Sequence, residues 1–245
     1  MRTMEASRIE SPVRLKTPRL LLREFEEEDL VQVHEYLSDP EVFRYMIGGS
    51  ADLQQSRESI RKIIDVSNEK PRLDYSLVVA HREKGRVIGG SRVRILDPAL
   101  NPVYRLLGPA YVGFWLNRLF WGQGYGTEVA KALLSFGFDE LRLHRIFAWC
   151  DAENISSAKI LDKIGMRREG VFVKNWMIRD NWRDAFLYAM LDSEWRKIEE
   201  SKMSSVTGGI HLERRTATQQ VVVKFDPFEW FTLLIRAHSV SSRIH

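Results

Sequence analysis

One cysteine, Cys150, stands in 245 residues, so no disulfide can form within the chain. That excludes a small stapled scaffold and fits a reducing compartment. Long apolar runs are also missing. Phe228 to Ile235, the longest late one, contains Glu229 and falls far short of the roughly 20 residues that cross a bilayer. Met1 to Lys16 carries arginines but no apolar segment of the secretory kind. The expectation is a cytoplasmic protein without a membrane partner. Charge of one sign is scarce too: 37 Lys/Arg against 33 Asp/Glu leave +4. From Ser201 onward six cations (Lys202, Arg214, Arg215, Lys224, Arg236, Arg243) face three acids (Glu213, Asp226, Glu229), so the first 200 residues carry only +1. Nothing there calls for nucleic acid. The six histidines lack metal-ligand spacing, and no internal repeat is visible.

What is present reads as a globular α/β chain. Leu20 to Leu22 form a strand after Thr17-Pro18. Helices follow over Glu26 to Ser38, where Leu30, Val33 and Leu37 share a face, and over Ala51 to Val66. Strands at 75–81 and 86–96 are joined by a turn at Glu83-Lys84-Gly85, and a third strand covers 110–116. A long helix spans Thr127 to Leu141, then a strand 145–150, a helix 154–164 and paired strands 170–178 and 182–191 around Arg179-Asp180-Asn181. This order predicts a mixed sheet with helices on its faces. The boundaries expected are an extension over 1–12, a domain over 13–196 and a tail over 197–245. Within the tail, Ser201 to Gln220 reads as a linker and 225–237 as one short helix, for which the domain itself or a second copy of the chain is the candidate partner.

The segment Trp121-Gly122-Gln123-Gly124-Tyr125-Gly126-Thr127-Glu128 lies between a strand and the long helix. Glycines let the backbone turn tightly, and free N–H groups at a helix start favour an anion. A dinucleotide fingerprint would need a further glycine where Thr127 or Val129 stands, and a nucleotide P-loop would need a lysine that is absent. Both familiar nucleotide loops are therefore disfavoured.

Read with Thr17-Pro18-Arg19-Leu20-Leu21-Leu22-Arg23, Leu143-His144-Arg145-Ile146, Asn154-Ile155-Ser156-Ser157 and Trp182-Arg183-Asp184 with Tyr188 and Glu194-Trp195, the loop resembles the GNAT superfamily of N-acetyltransferases. Within it, the chain is similar to the RimJ/RimL branch that acetylates ribosomal-protein N-termini. The resemblance implies a mostly antiparallel sheet with a splayed central strand pair, and acetyl-CoA as co-substrate without a metal. It also implies that the amides of Gln123, Gly124, Tyr125, Gly126 and Thr127 hold the pyrophosphate. Phe114 and Leu116 would border the pantetheine arm, Asn154 would hydrogen-bond it, and Ser157 would lie near the thioester sulfur. Trp121 departs from the Gln or Arg that often opens this loop.

Each residue also has a plainer reading. Asn154 suits a helix N-cap with Ser157 at N3, Tyr125 suits core packing, His144 a strand start, and Cys150 inert filling. Most tryptophans suit the core, with Trp115 and Trp176 the two that would line an acceptor pocket. The helix that often supplies a tyrosine acid in this superfamily has Leu161 near that place, leaving Ser157 as the substitute. No carboxylate stands out as base; Glu169, Asp184 and Glu24 are candidates beside a water chain. The acceptor expected is a protein or peptide α-amine, attacked directly without a covalent enzyme intermediate. A small amine (aminoglycoside, polyamine or amino-acid derivative) and a non-catalytic acetyl-CoA-binding module are the competing readings.

Overall fold

The computed structural model describes residues 9, 12–46, 49–96, 109–207 and 221–222. The 225–237 helix and most of the 97–109 loop lie outside them. The strands are β1 (Arg14–Lys16), β2 (Leu20–Arg23), β3 (Asp74–His81), β4 (Arg86–Ile95), β5 (Ala110–Leu116), β6 (Arg145–Asp151), β7 (Arg167–Ile178), β8 (Asn181–Leu191) and a two-residue β9 (Val221–Val222). The helices are α1 (Leu30–Leu37), α2 (Leu53–Ser67), α3 (Tyr125–Ser135), α4 (Ile155–Lys163) and α5 (Asp192–Thr207). The sheet order is β1-β2-β3-β4-β5-β6-β8-β7-β9. Neighbours from β1 to β5, and β6 with β8 and β7, are antiparallel; β5–β6 and β7–β9 are parallel. This is the expected mixed sheet with helices on both faces.

Alternation along each strand sorts side chains onto two faces. Ala110, Val112 and Leu116 of β5, with Ile146, Ala148 and Cys150 of β6, join the large core with Val129, Leu133, Leu161 and Trp195 under α3, α4 and α5. On the opposite face Val78, Val87 and Trp115 pack with Val33, Tyr36 and Ile60 of α1 and α2. Farther along that face Phe147, Phe172, Ala185, Leu187 and Ala189 cluster with Tyr111, Trp149 and Trp176.

Local chemistry explains the turns. Gly85 takes φ +58° between β3 and β4, as the turn expected there requires. The β7–β8 turn uses Arg179 and Asp180 at φ +49° and +62° between the paired Ile178 and Asn181. Two consecutive positive φ values match the twist of a tight hairpin.

Three elements were not expected: β1, α5 and the two-residue β9. β1 has three residues and one apolar side chain, too little for a sequence pattern. α5 runs from Asp192 to Thr207, across the 196 boundary and into the supposed linker. It is anchored by Trp195, which stacks on Phe138 at 6.0 Å and donates from Nε1 to Asp139. The long helix also differs in detail: it begins at Tyr125 and passes into a π-helical turn over Phe136–Glu140.

Candidate active site

β5 and β6 are parallel neighbours with one registered pair, Tyr111 with Phe147. Beyond it towards their C-terminal ends the ladder stops, so a gap opens between Phe114–Leu116 and Trp149–Asp151. The Asn117 N–H bonds the Ile88 carbonyl on β4 at 2.8 Å. Since backbone groups alternate sides along a strand, the N–H groups of Phe114 and Leu116 point the other way, into the gap. The Leu116 carbonyl accepts from the Trp121 indole N–H at 2.8 Å, which ties the loop's first residue to the end of β5. Trp121 therefore has a structural use where a Gln or Arg was the more familiar choice.

The loop then turns on two left-handed glycines, Gly122 at φ +73° and Gly124 at φ +81°. Gly124 is the N-cap of α3, and no side chain caps that end. The first-turn amides of Tyr125, Gly126 and Thr127 have no partner within the helix, and with the macrodipole they make an anion seat. A Cβ on Gly126 would come within 2.8 Å of Ile160 on α4, so this glycine also sets how closely α3 and α4 approach.

The loop is braced from the start of β2, by contacts that span more than a hundred residues. Thr17 Oγ1 donates to Glu128 at 2.6 Å, and the Arg19 backbone and Nε donate to the same carboxylate at 2.8 and 2.7 Å. Arg19 also donates to the Gln123 carbonyl at 3.0 Å and lies 4.3 Å over the Tyr125 ring. Burial opposes the Glu128 charge, but the bonds from Thr17 and Arg19 outweigh it and hold its carboxyl below the usual range. The Tyr125 hydroxyl meets buried His81 Nε2 at 3.0 Å, so Tyr125 is both core packing and a fixed member of the loop. These roles of Arg19, Glu128 and His81 were not assigned from sequence. Only the Thr17-Pro18-Arg19 pattern hinted at one. A depression of about 700 Å³ beside Gly124 and Thr127 is lined by cations, Arg19, Lys131 and Lys163 among them, and by the acids Glu128, Glu140 and Glu199.

Across the gap, Asn154 caps α4, its Oδ1 accepting from the Ser157 N–H at 3.1 Å. The N-cap reading is correct. The cap uses only Oδ1, so the amide NH₂ stays available. The Ser157 hydroxyl is half-buried and has no partner among the described residues. Cys150 faces the α3-side core, and burial first, then Asp151 and Asp162, push its thiol up to about 12. It is packing, not a nucleophile. Tyr188, buried on the same face, is likewise pushed up to about 12, by burial first and then by Asp162 and Cys150.

Glu169 does not join this group. It lies on β7, where Arg145 donates at 3.0 and 2.6 Å and Arg167 at 2.6 Å. Burial raises its pKa, but the two guanidiniums win and leave it below the usual carboxylate range. A carboxylate committed in this way is an ion-pair lock and a poor proton acceptor. Glu24 is likewise held, by Arg72 and the Val13 N–H, and Asp184 accepts from the Lys174 N–H.

Among the described residues there is no metal-binding cluster of His, Cys, Asp and Glu, and no helix long and apolar enough to cross a membrane. The model of the acetyltransferase (GNAT) domain matches residues 19–167. The uncharacterized N-acetyltransferase YnaD of Bacillus subtilis is 36% identical over 183 residues, covering 74% of this chain and 98% of that protein. The spermidine N(1)-acetyltransferase of Escherichia coli is 22% identical over 71% of this chain and 87% of its own. The solved structure of RimL, the ribosomal L7/L12 α-N-protein acetyltransferase, in complex with coenzyme A has a TM-score of 0.62 at 16% identity, over 73% of this chain and 98% of that one. A splayed parallel pair, a glycine-turned anion seat and a capped helix opposite it thus meet in a chain that belongs to the GNAT family, as an acetyl-CoA-dependent N-acetyltransferase.

Proposed function

We propose that the chain transfers the acetyl group of acetyl-CoA to the N-terminal α-amine of a protein or peptide, by direct attack. The thioester supplies the activated acetyl group. The amides of Gln123 to Thr127 receive the pyrophosphate, Phe114 and Leu116 offer their free edge to the pantetheine, and the Asn154 amide donates to it. The Leu116 N–H is the donor for charge developing on the acetyl oxygen, a type of contact worth a few kcal/mol elsewhere. Ser157 is the group that protonates the departing thiolate.

The observation that carries the acceptor class is the state of the acids around the gap. Asp151 is bound by Arg183 at 3.0 Å twice, and Asp39 by Arg118 at 3.0 Å. Neither is placed as a strong base or as a seat for a second ammonium. An α-amine titrates near 7.7–8.0 against about 10.4 for lysine, so it is neutral far more often at pH 7, by about 2.5 units or roughly 3.5 kcal/mol. With these two acids held by arginines, the weaker base suits the site better, with a water chain as proton carrier.

The acids that keep a small polycationic amine open are Asp39, Glu41 and the acidic run Glu26 to Asp29. That run forms a helical turn in which Asp29 is buried against Arg23 at 2.7 Å, which weakens it as a polycation site. The test is free-thiol release from acetyl-CoA over a panel of acceptors. Release with peptides beginning Ala or Ser, and none once the α-amine is blocked, is the expected result. Release confined to polyamines or aminoglycosides would move the assignment to small amines.

A further inference from the structure

The end of β5 lies against a stretch of β4 that has no side chains to hold it off. Leu116 is registered with Gly89 and Trp115 with Gly90. A Cβ built on Gly89 would lie 2.3 Å from the Trp115 carbonyl oxygen and 2.9 Å from the Leu116 Cα, so a side chain there would push β5 back towards β6. β4 also carries one residue more than β3 at this point. Val79 pairs with Gly89 and Ala80 with Val87, which leaves Ile88 as the bulged residue. A bulge bends its strand and re-aims the groups beside it. Ile88 is the residue whose carbonyl takes the Asn117 N–H at 2.8 Å. The bulge and the absent Cβ together draw the last residues of β5 onto β4 and away from β6.

Because Asn117 faces β4, both backbone groups of Leu116 face the gap. The ladder to β6 has stopped by then, so the Leu116 carbonyl has no strand partner and needs a donor from elsewhere. The Trp121 indole N–H supplies it at 2.8 Å. That indole is itself held in a tight turn. The Trp121 N–H donates to the Arg118 carbonyl at 3.2 Å, the Leu119 N–H to Asn117 Oδ1 at 3.0 Å, and Arg118 pairs with Asp39 at 3.0 Å. The peptide group joining Leu116 to Asn117 is therefore pinned at both ends, its N–H to β4 and its carbonyl to Trp121. The Leu116 N–H, one peptide earlier, is the polar backbone group of this residue that stays open to the gap.

We propose that Trp121 is a positioning residue for acetyl transfer: its indole holds the Leu116 carbonyl and so fixes the direction of the Leu116 N–H towards the acetyl oxygen. This rests on the reading of Leu116 as the donor to that oxygen, and adds to it the side chain that sets the donor's aim. A donor fixed beforehand needs no reorganisation when charge develops. The bond has a second effect. The Leu116 carbonyl carries partial negative charge on the same side of the strand, and an indole N–H bonded to it offsets that charge beside the developing oxyanion. Trp121 also opens the loop whose amides form the anion seat, so one hydrogen bond ties the place where the co-substrate is anchored to the place where it reacts. The sequence marked Trp121 only as a departure from Gln or Arg; its partner on β5 could not be read there.

The test binds acetyl-CoA, isotope-labelled at the thioester carbonyl, to the wild type and to Trp121→Phe, and reads the carbonyl stretch by infrared difference spectroscopy. Steady-state kinetics with a peptide beginning Ala run alongside. A hydrogen bond to the oxygen weakens the C=O bond, so the wild-type band should lie below that of free acetyl-CoA. Trp121→Phe keeps a ring and loses the N–H, and the Trp121 ring is largely exposed, so the variant should fold. Its band should move back towards the free value. Its kcat should fall about tenfold, less than the hundredfold or more lost when such a donor is removed outright. Acetyl-CoA affinity and acceptor KM should each stay within about threefold, the pattern of an interaction realised in the transition state. A band that does not move in the variant would overturn the proposal. So would acetyl-CoA affinity falling in step with kcat, because Trp121 would then serve only to hold the loop. A wild-type band at the free value would instead overturn the reading of Leu116 as the donor.

Discussion

The two sides of the β5–β6 gap are built on different principles. On the α3 side the polar groups around the glycine loop are bonded before any ligand arrives: Thr17 and Arg19 to Glu128, Arg19 to Gln123, Tyr125 to His81. On the α1/α2 side the Trp115 and Trp176 indole nitrogens and the Tyr36 hydroxyl are buried without hydrogen-bonding geometry to any partner. A co-substrate of fixed structure rewards preorganisation, because no ordering cost remains at binding. An acceptor site gains discrimination from donors that only the right ligand satisfies, since a wrong ligand leaves them buried and unmet. On the proposal that acetyl-CoA binds on the α3 side and the acceptor on the other, substitutions on each side should have separable effects.

The largest separable effect short of blocking the loop is expected at its brace. Arg19→Gln removes the ion pair with Glu128, the bond to Gln123 and the cover over Tyr125. Acetyl-CoA affinity measured by calorimetry should fall about thirtyfold, on the order of 2 kcal/mol, with acceptor KM little changed. Equal weakening of both ligands would break the division between the halves.

A smaller and sharper effect is expected at Asn154. Asn154→Asp keeps an oxygen for the Ser157 N–H and so retains the cap, which is worth about 1 kcal/mol. It loses the NH₂ donor. Thermal stability should hold while acetyl-CoA affinity falls about tenfold; a fall in melting temperature with normal affinity would reduce Asn154 to a cap alone.

The smallest effect on catalysis is expected at Glu169. Glu169→Gln breaks the partly buried ion pairs with Arg145 and Arg167, costing about 1–2 kcal/mol of stability, while kcat stays within about twofold of wild type. Because the folded carboxyl titrates below its unfolded value, its contribution is complete above about pH 4.3 and is lost as pH falls through the lower folded value. Denaturation curves should therefore converge between variant and wild type in acid. A hundredfold loss of kcat would restore Glu169 as a base.

Sequence and structure agree where the signal is local. The strands from β2 to β8, the Gly85 turn, the Arg179-Asp180 turn and the Asn154 cap all rest on residues a few positions apart. β1 and α5 were missed because one or two apolar anchors, Leu15 in one and Trp195 with Ile198 in the other, do not make a period. The tight turn before α3 was legible from its glycines. Its brace was not, since Arg19 and Glu128 meet across 109 residues. Glu169 was a candidate base because a sequence cannot show that Arg145 and Arg167 converge on it. Trp115 and Trp176 were expected to line an acceptor pocket, but a sequence cannot show that Trp115 lies over Gly90 on β4 while Trp176 meets Trp149 edge to face.

The most direct test is a titration of acetyl-CoA into the Gly124→Glu and Gly113→Val proteins side by side. Gly124 is left-handed at the N-cap of α3, so a glutamate there strains the turn by about 1–2 kcal/mol and puts a negative charge in the anion seat. Gly113 lies between Tyr111 and Trp115 on β5, where an added Cβ would meet nothing within 4 Å. Binding should weaken at least about a hundredfold, or roughly 2.7 kcal/mol, in Gly124→Glu and stay within about twofold of wild type in Gly113→Val. Retained binding in Gly124→Glu, or equal loss in both, would contradict a molecule whose two faces serve two substrates.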